Sequence, residues 1–334
     1  MIGKDAFIDS NSALVSPVEI GTSGTASQSE IGGPKRRPMV VRRHPSLAMI
    51  VFYFGRWPPW IEFFVETCKW NPDIHWLLYT DCGAPENRAD NVSIRHISFA
   101  DYKALARRRT GITADPDHPY KLCDLRPALG HIHADDIAGY DFFGFGDLDV
   151  FYGHIRCFYT DALLNAYDVL STHPEIVSGH LAVLRNTDEL RRAYEAMPLD
   201  HWMHKPHNFR VDREFAHLFE PGGALAHLRT YFVEQYSTIL SSRGWHDGTM
   251  NYPLRWFWTN GRLTNSADGE RDFLYLHVMR WQSLRHATAK LEPTEGAWAR
   301  LDPVVKLDWR HAGRHGFCIS PDGITESPPV FRGV

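Results

Sequence analysis

An alternation of buried strands and amphipathic helices is the feature that most constrains the fold of this chain. The run SLAMIVFYFG (residues 46–55) is continuously apolar and ends in glycine, which predicts a buried parallel strand. The following WPPWIEFFVETCKWNP, with proline at its start, predicts a helix. DIHWLLYTD (residues 73–81) predicts a second buried strand, NVSIRHISF a third strand and ADYKALARRR another helix. This order predicts a parallel sheet covered by helices, in which ligands bind at the carboxyl ends of strands.

The middle of the chain continues the alternation, whereas its last third is more helical in pattern. PYKLCDLRPALG predicts a helix from the spacing of Leu122, Leu125 and Leu129, and YDFFGFGDLDVF predicts a strand. DALLNAYDVLSTH predicts a helix and a strand, and SGHLAVLRNT a short strand. DELRRAYEAM, REFAHLF and LRTYFVEQYSTIL predict helices, FLYLHVMRW a strand and RHGFCISPDGI an edge strand. We therefore expect a single α/β domain over residues 46–334 with a helical C-terminal extension, after a disordered tail at residues 1–45.

Composition excludes several classes of protein. The formal net charge of -4 over 334 residues lacks the basic excess of a nucleic-acid binder, so no nucleic acid is expected as a partner. Five cysteines at wide spacings without a CxxC pair indicate neither a zinc ribbon nor a disulfide scaffold. No apolar run approaches the ~20 residues of a membrane helix. We expect a soluble cytoplasmic protein, with peripheral docking at the inner face of a membrane left open.

Two aspartates, Asp147 and Asp149, lie one residue apart in the aromatic stretch YDFFGFGDLDVFYGHI. We call them the acid pair. Ionised carboxylates in an apolar run are costly unless something pairs with them. They face the same side if the strand persists, or converge from a tight turn at its end. Three settings make the pair tolerable: a divalent cation (Mn²⁺ or Mg²⁺), the nucleophile and acid/base of a phosphatase, or a solvated strand end without a function.

The phosphatase alternative comes from the similarity of GDLDVF to the haloacid-dehalogenase motif D-x-D-x-[TV], with Asp147 as the nucleophile. Phe151 stands where that motif has Thr or Val. The motif also usually lies on the first strand of its fold, whereas three predicted strands precede it here. Both differences count against a phosphatase without excluding it.

A cation that binds a nucleotide diphosphate would need a third ligand and positive charge nearby. His277, near the end of an apolar strand, is a candidate ligand or a core histidine, and Arg280 follows three residues later. Lys121 and Arg126 could contact phosphate or be surface charges.

Several segments in order resemble a known family. PYKLCDLRPALG, YDFFGFGDLDVFYGHIRCF, SGHLAVLRNT and FLYLHVMRW, with IVFYFGRWPPWIEFFVETCKWNPDIHWLLYTD before them, are similar to bacterial polysaccharide-locus proteins taken to be glycosyltransferases of the GT-A fold. The resemblance covers roughly Leu47 to Gly323. It implies a GT-A-like α/β fold, with a mixed, mostly parallel sheet flanked by helices. The implied activity moves a sugar from a nucleotide-sugar donor to a glycan or lipid-linked glycan acceptor in surface polysaccharide synthesis. A non-catalytic GT-A-like protein that binds a glycan or nucleotide is a further alternative.

The same resemblance assigns roles to individual residues. Asp147 and Asp149 would hold Mn²⁺ or Mg²⁺ against the donor diphosphate, with Asp149 the firmer ligand, and His277 would complete the metal site. Other expected contacts are Tyr53, Phe54, Thr80 and Asp81 around the base and ribose, Lys121 and Asp124 beside the diphosphate or donor sugar, and Ser178, Gly179 and His180 along the sugar or acceptor pocket. Asp212, Glu214 and Asp247 are candidate general bases for an inverting reaction, and a retaining reaction would need none.

Overall fold

The computed structural model describes residues 44–206, 210–233, 253, 255–278, 305–320 and 322–327. The strands are β1 (Leu47–Tyr53), β2 (Ile74–Thr80), β3 (Val92–His96), β4 (Phe142–Gly146), β5 (Val150–Tyr152), β6 (Val169–Ser171), β7 (Leu181–Arg185), β8 (Thr230–Phe232), β9 (Trp256–Thr259), β10 (Arg262–Asn265), β11 (Tyr275–His277), β12 (Phe317–Ser320) and β13 (Gly323–Thr325). The α-helices are α1 (Ile61–Lys69), α2 (Phe99–Thr110), α3 (Leu129–Ile132), α4 (Ile155–Phe158), α5 (Asp161–Ala166), α6 (Asp188–Arg191), α7 (Leu199–Met203), α8 (Val211–His217) and α9 (Trp309–His315). Two 3₁₀ helices span Pro119–Ala128 and Ala193–Ala196.

The central sheet has seven strands in the order β3-β2-β1-β4-β7-β6-β8 among the described residues. Strands β3, β2, β1 and β4 are parallel, as the alternation of strands and helices predicts. β7 is antiparallel to both β4 and β6, and β8 is parallel to β6. The predicted α/β class with a mixed, mostly parallel sheet is therefore confirmed. Because β7 runs against β4, its first residues lie at the edge of the sheet where β4 ends.

Both faces of the sheet are buried, which explains the continuous apolar run of β1. Ala48 and Ile50 face one apolar layer, which includes residues of α2, α3 and the first 3₁₀ helix. Leu47, Met49 and Val51 face the other layer, which includes residues of α1, α4 and α5. A strand covered on both sides has no polar face, so its sequence does not alternate.

The C-terminal part of the fold matches the prediction in part. The predicted helix DELRRAYEAM corresponds to α6 and the second 3₁₀ helix, and REFAHLF to α8, while the strand predicted in FLYLHVMRW corresponds to β11. The described residues from 253 onward contain strands β9 to β13 and the single helix α9, so this part is not a helical extension. β10, β9, β12 and β13 form an antiparallel sheet in that order, so β12 is an internal strand of a hairpin rather than an edge strand. Trp256, Trp258 and Phe317 fill the apolar cluster between this sheet and α1. Aromatic residues at alternate positions, such as Trp256 and Trp258 in β9, favour strands.

Three shorter segments also differ from their predicted structure. YDFFGFGDLDVF forms two strands, because β4 belongs to the central sheet while β5 pairs with β11. PYKLCDLRPA is a 3₁₀ helix with Pro127 inside it, and α3 follows. LRTYFVEQYSTIL was predicted to be a helix, but its described beginning is strand β8; residues 234–240 lie outside the described residues.

The described residues all belong to one compact unit, Val40–Val334. The predicted disordered tail falls almost wholly on residues 1–43, which lie outside the described residues. Among the helices that the structure describes, none is long and apolar enough to cross a membrane.

Candidate metal centre

The candidate site lies at the carboxyl edge of the central sheet, where β1, β2 and β4 end and β7 begins. Gly146 of β4 is paired with Leu181 of β7 in the last rung of that ladder. Directly beyond this rung lie the acid pair on one strand and His180 on the other. The antiparallel placement of β7 therefore brings together residues more than 30 positions apart in the chain.

The acid pair occupies the short connection between β4 and β5. Leu148, between the two aspartates, is buried in the apolar layer, and its carbonyl oxygen accepts a hydrogen bond from Trp60 Nε1 at 3.1 Å. Asp147 forms an ion pair with Arg126. Asp149 lies on the other side, with Oδ1 3.3 Å from His277 Nε2, and its carbonyl oxygen accepts from Val278 N at 2.9 Å. The two carboxylates thus have different partners.

Two histidines complete this edge. The imidazole rings of His180 and His277 have centroids 3.6 Å apart. His277 reaches the site because β11 pairs antiparallel with β5, which places His277 opposite Val150. Tyr275, two residues earlier and on the same face of β11, has its hydroxyl 3.3 Å from His180 Nδ1 and 2.9 Å from Thr172 Oγ1.

Asp147, His180 and His277 each offer one ligand atom, and these three atoms lie within 4.8 Å of one another. We call these residues the Asp-His-His cluster. His277 is 3% exposed, and its Nδ1 atom has no hydrogen-bond partner within the described residues. A buried imidazole nitrogen without a partner is unfavourable unless something else binds it. Carboxylate and imidazole side chains are common ligands of divalent metals, so the cluster fits a divalent cation.

The pKa values of the titratable side chains at this site are shifted in different directions. Burial raises the pKa of Asp147, although the Arg126 guanidinium opposes that rise. Burial also acts to raise the pKa of Asp149, but His277, a backbone hydrogen bond and Arg126 together lower it, with His277 the largest of the three. Burial, and then the closeness of His277, lowers the pKa of His180 well below its usual value. A metal ligand needs an unprotonated imidazole nitrogen, which a low pKa provides.

The 3₁₀ helix Pro119–Ala128 forms one wall of the site. With three residues per turn, Tyr120, Cys123 and Arg126 lie on one face of this helix. Charges of Asp147 and Arg126 act on both Tyr120 and Cys123, which places that face toward the acid pair. Burial raises the pKa of Cys123 to about 12, so its thiol stays protonated and is a poor nucleophile.

Lys121 and Asp124 lie on the next face of the same helix and form a buried ion pair. Lys121 Nζ donates to Asp124 Oδ2 at 2.7 Å and to the Trp202 carbonyl oxygen at 3.0 Å. This pairing fixes the 3₁₀ helix against α7. Both residues were predicted beside the diphosphate or donor sugar, and the structure places their charged groups in contact with each other.

Arg126 links the acid pair to α8. Its Nη1 atom lies 3.5 Å from Asp212 Oδ2, and its Nη2 atom contacts Asp147. The guanidinium passes directly over Gly179: a Cβ atom at that position would lie 2.3 Å from Arg126 Nη1. Gly179, predicted to permit close backbone approach, therefore leaves room for the arginine. Ser178 is fully buried and its Oγ accepts from His180 N at 3.2 Å, which shapes the turn before β7.

Replacing Gly179 by alanine should force the Arg126 guanidinium away from its two carboxylates. We expect a loss of about 1–3 kcal/mol in the free energy of unfolding, as is typical of overpacked sites, measured by urea denaturation. Gly139→Ala is a matched control, because a Cβ atom there meets nothing within 4 Å. Equal stability of the Gly179→Ala variant and the wild type would mean that the arginine does not need this space.

The predicted nucleotide contacts at β1 and β2 fall into two groups. Tyr53 stacks on Trp57 with ring centroids 5.6 Å apart, and both are partly exposed at the end of β1. Phe54 instead is buried against Phe99 and Tyr102, so its ring belongs to the core. The two polar residues at the end of β2 are used within the protein. Thr80 is fully buried, and its Oγ1 accepts a hydrogen bond from Cys82 N at 3.0 Å. Asp81 is exposed, and its carboxylate accepts from Gly55 N at 2.7 Å.

The three candidate bases have different positions. Asp212 lies beside Arg126, and burial raises the pKa of its carboxyl. Glu214 points elsewhere on α8, with Oε2 3.4 Å from His217 Nδ1. Two residues apart on a helix, these side chains project in nearly opposite directions. Asp247 and Arg280 lie outside the described residues.

Two site residues were not predicted. Trp57 follows Tyr53 by four residues, and its indole is partly exposed. It was overlooked because its segment was interpreted as the start of a helix. Tyr275 could have been found from strand alternation, because it is two residues before His277 and shares its face. Arg126 was predicted as a phosphate contact or a surface charge, and its contact with both Asp147 and Asp212 depends on the spatial closeness of α8.

Comparison with known proteins identifies the family of the chain. A family model described as "Family of unknown function (DUF6625)" matches residues 49–294, a span that contains most of β1, all of β2 to β11 and the whole Asp-His-His cluster. No curated protein matches the chain. Since the matched span covers well over half of the 334 residues, the chain belongs to the DUF6625 family.

Proposed function

We propose that this protein is a metal-dependent glycosyltransferase of the GT-A fold. It would move a sugar from a nucleotide-sugar donor to a glycan or lipid-linked glycan acceptor. The proposed setting is the cytoplasm or the inner face of a bacterial membrane, during synthesis of surface polysaccharide. The mixed, mostly parallel sheet and the acid pair at a strand end are the features that such a fold would require.

One observation carries the proposal: the Asp-His-His cluster converges beyond the carboxyl ends of the parallel strands, and its member His277 has a buried imidazole nitrogen without a partner among the described residues. In open α/β sheets this edge is where ligands bind. A divalent cation there would neutralise charge on the departing nucleoside diphosphate. The partly exposed Tyr53 and Trp57 rings, at the end of β1, offer an aromatic surface for a base.

The protein's own groups account for the remaining requirements. During transfer, the bond from the anomeric carbon to the phosphate oxygen breaks, and a bond to the acceptor oxygen forms. In an inverting reaction the acceptor proton would pass to a carboxylate, for which Asp212 is the best placed described candidate. A raised pKa makes a carboxylate a stronger base. Arg126 holds this carboxylate in place and opposes the charge repulsion between Asp212 and Asp147.

Calorimetric titration with a panel of nucleoside diphosphates and nucleotide-sugars, with and without Mn²⁺, tests the proposal. We expect binding that requires Mn²⁺ in the wild type and is lost in Asp149→Ala. If no member of the panel binds, the proposal that this protein uses a nucleotide-sugar is overturned. Binding without turnover of any donor, including slow hydrolysis, would instead support a non-catalytic glycan- or nucleotide-binding protein.

The phosphatase alternative has its own readout. Release of phosphate from generic phosphomonoesters, abolished by Asp147→Asn, would favour it over the glycosyltransferase. Three strands, β1 to β3, precede β4, the strand that leads into the acid pair, and Asp147 is paired with Arg126. Both features weigh against Asp147 as the nucleophile of a haloacid-dehalogenase-like enzyme.

A further inference from the structure

The two carboxylates of the acid pair are not equivalent around the cluster. Asp147 offers an oxygen within 4.8 Å of the ligand atoms of His180 and His277. Asp149 instead places Oδ1 3.3 Å from His277 Nε2. His277 has only two ring nitrogens, and with Nε2 facing Asp149 the nitrogen that remains for a ligand is Nδ1. That atom is the buried one without a partner among the described residues.

This arrangement matches the way proteins prepare a histidine to bind a metal. A metal-binding imidazole usually donates its second N–H to a carboxylate or other acceptor, which fixes both tautomer and ring orientation. A carboxylate at Asp149 favours the proton on Nε2 of His277 and leaves the lone pair on Nδ1. Asp149 thus has the position of an orienting group rather than that of a ligand.

His180 has an equivalent support. Its Nδ1 atom lies 3.3 Å from the Tyr275 hydroxyl, and that hydroxyl also contacts Thr172 Oγ1 at 2.9 Å. The other nitrogen of His180, Nε2, is then available to the cluster. Asp147 in turn is held by Arg126. Each member of the Asp-His-His cluster therefore has one polar partner that orients it.

We propose that Asp147, His180 and His277 hold the cation directly. Asp149 then acts as a positioning residue for the His277 imidazole. His180 becomes a metal ligand instead of part of the sugar pocket. The proposal deepens the metal site of the proposed function and rests on that function for the purpose of the ion, but the binding itself requires no sugar.

This ligand set selects one chemical class of cation. Mg²⁺ and Ca²⁺ favour sites made of oxygen ligands. Two imidazoles with one carboxylate suit transition-metal dications, whose affinities rise from Mn²⁺ through Co²⁺ and exceed that of Mg²⁺. We expect Zn²⁺ and Co²⁺ to bind more tightly than Mn²⁺, and Mg²⁺ to bind most weakly.

Metal binding to the full-length protein, without nucleotide, tests the assignment. Zn²⁺ and Mg²⁺ affinities are measured by calorimetry, and Co²⁺ coordination by its visible absorption. The variants are His180→Gln, Asp147→Asn and Asp149→Asn. His173→Gln is the matched control, because the His173 ring contacts His180 with centroids 5.3 Å apart but does not belong to the cluster. Circular dichroism and thermal unfolding verify that each variant is folded.

We expect one Zn²⁺ per chain, and His180→Gln and Asp147→Asn to lower Zn²⁺ affinity by more than about 100-fold, because each removes a ligand. Asp149→Asn should lower it by roughly 10–100-fold, as is usual for an outer partner, and His173→Gln should leave it unchanged. His180→Gln should also alter the Co²⁺ spectrum. If His180→Gln is not folded, His180→Asn, with a smaller polar side chain at the same position, is measured in its place and should show the same loss of Zn²⁺ affinity.

Two results would overturn the assignment. One is wild-type Zn²⁺ affinity in His180→Gln together with a loss in Asp149→Asn as large as that in Asp147→Asn. The other is a preference for Mg²⁺ over Zn²⁺. If Mn²⁺-dependent nucleotide-sugar binding persists while His180→Gln has no effect on the metal, the proposed function stands and this ligand assignment fails. If Zn²⁺ binds through the three residues but no nucleotide-sugar binds, the ligand assignment stands alone.

Discussion

Asp147→Asn should abolish metal-dependent binding of the nucleotide-sugar donor. The substitution keeps the size of the side chain but removes the anionic ligand of the Asp-His-His cluster, so a dication loses both a ligand and a compensating charge. Loss of an outer partner already costs roughly 10–100-fold in metal affinity, and the loss here should exceed that range. Donor affinity in the presence of Mn²⁺, measured by calorimetry, provides the readout.

Asp188→Asn serves as the control for Asp147→Asn. Asp188 follows β7 at the opposite edge of the sheet, and its side chain is 80% exposed. We expect Asp188→Asn to bind the donor and the metal with the affinities of the wild type. Persistence of Mn²⁺-dependent donor binding in Asp147→Asn, at wild-type strength, would exclude Asp147 from the metal site.

Arg126→Met should cause the largest loss of stability among substitutions at the site. The Arg126 side chain is 13% exposed, and its guanidinium contacts Asp147 and Asp212, whose negative charges would otherwise face each other. Removing one partner of such a buried pair costs roughly 3 kcal/mol or more, because a buried charge is left uncompensated. Denaturation by urea at neutral pH measures this loss.

The pH dependence of the same variant gives an internal check. Burial already raises the pKa of Asp147 and of Asp212, and removing Arg126 takes away the cation that opposes both rises. A carboxyl whose pKa is higher in the folded than in the unfolded protein costs stability when it is ionised. This cost disappears as the pH falls through the folded-state pKa and then the unfolded-state pKa of that carboxyl. The difference in the free energy of unfolding between Arg126→Met and the wild type should therefore become smaller in mildly acidic buffer.

Arg310→Met is the control for Arg126→Met, because the Arg310–Glu86 pair at 3.0 Å is well exposed and such pairs contribute little. We expect no measurable change in stability for this variant. A wild-type urea midpoint for Arg126→Met would show that Arg126 does not compensate the two carboxylates.

Local patterns predicted the first half of the central sheet because those signals are strong and independent of distant contacts. The segments predicted as strands correspond to β1, β2 and β3, and the intervening helices to α1 and α2. The acid pair was predicted from two charges in an apolar run. His277 was predicted as a possible ligand from its place near the end of an apolar strand. In the structure its Nε2 atom lies 3.3 Å from Asp149 Oδ1.

The helical spacing of Leu122, Leu125 and Leu129 was a weaker guide. In the structure, Leu122, Leu125 and Ala128 are buried with a period of three, and Leu129 is the first residue of α3. Periods of three and of 3.6 differ little over two turns, so a short segment does not separate a 3₁₀ helix from an α-helix. The difference matters because the period of three places Arg126 on the same face as Cys123.

The sequence by itself determined the α/β class, the two-sided burial of the first strands and the presence of a carboxylate pair that needs a partner, since each depends on residues close together in the chain. Only the tertiary structure decided what the partners are. The antiparallel direction of β7 brings His180 to the acid pair, the pairing of β11 with β5 brings His277, and α8 brings Asp212 rather than Glu214. Strand direction and pairing are set by contacts between segments far apart in the chain, and no local periodicity encodes them.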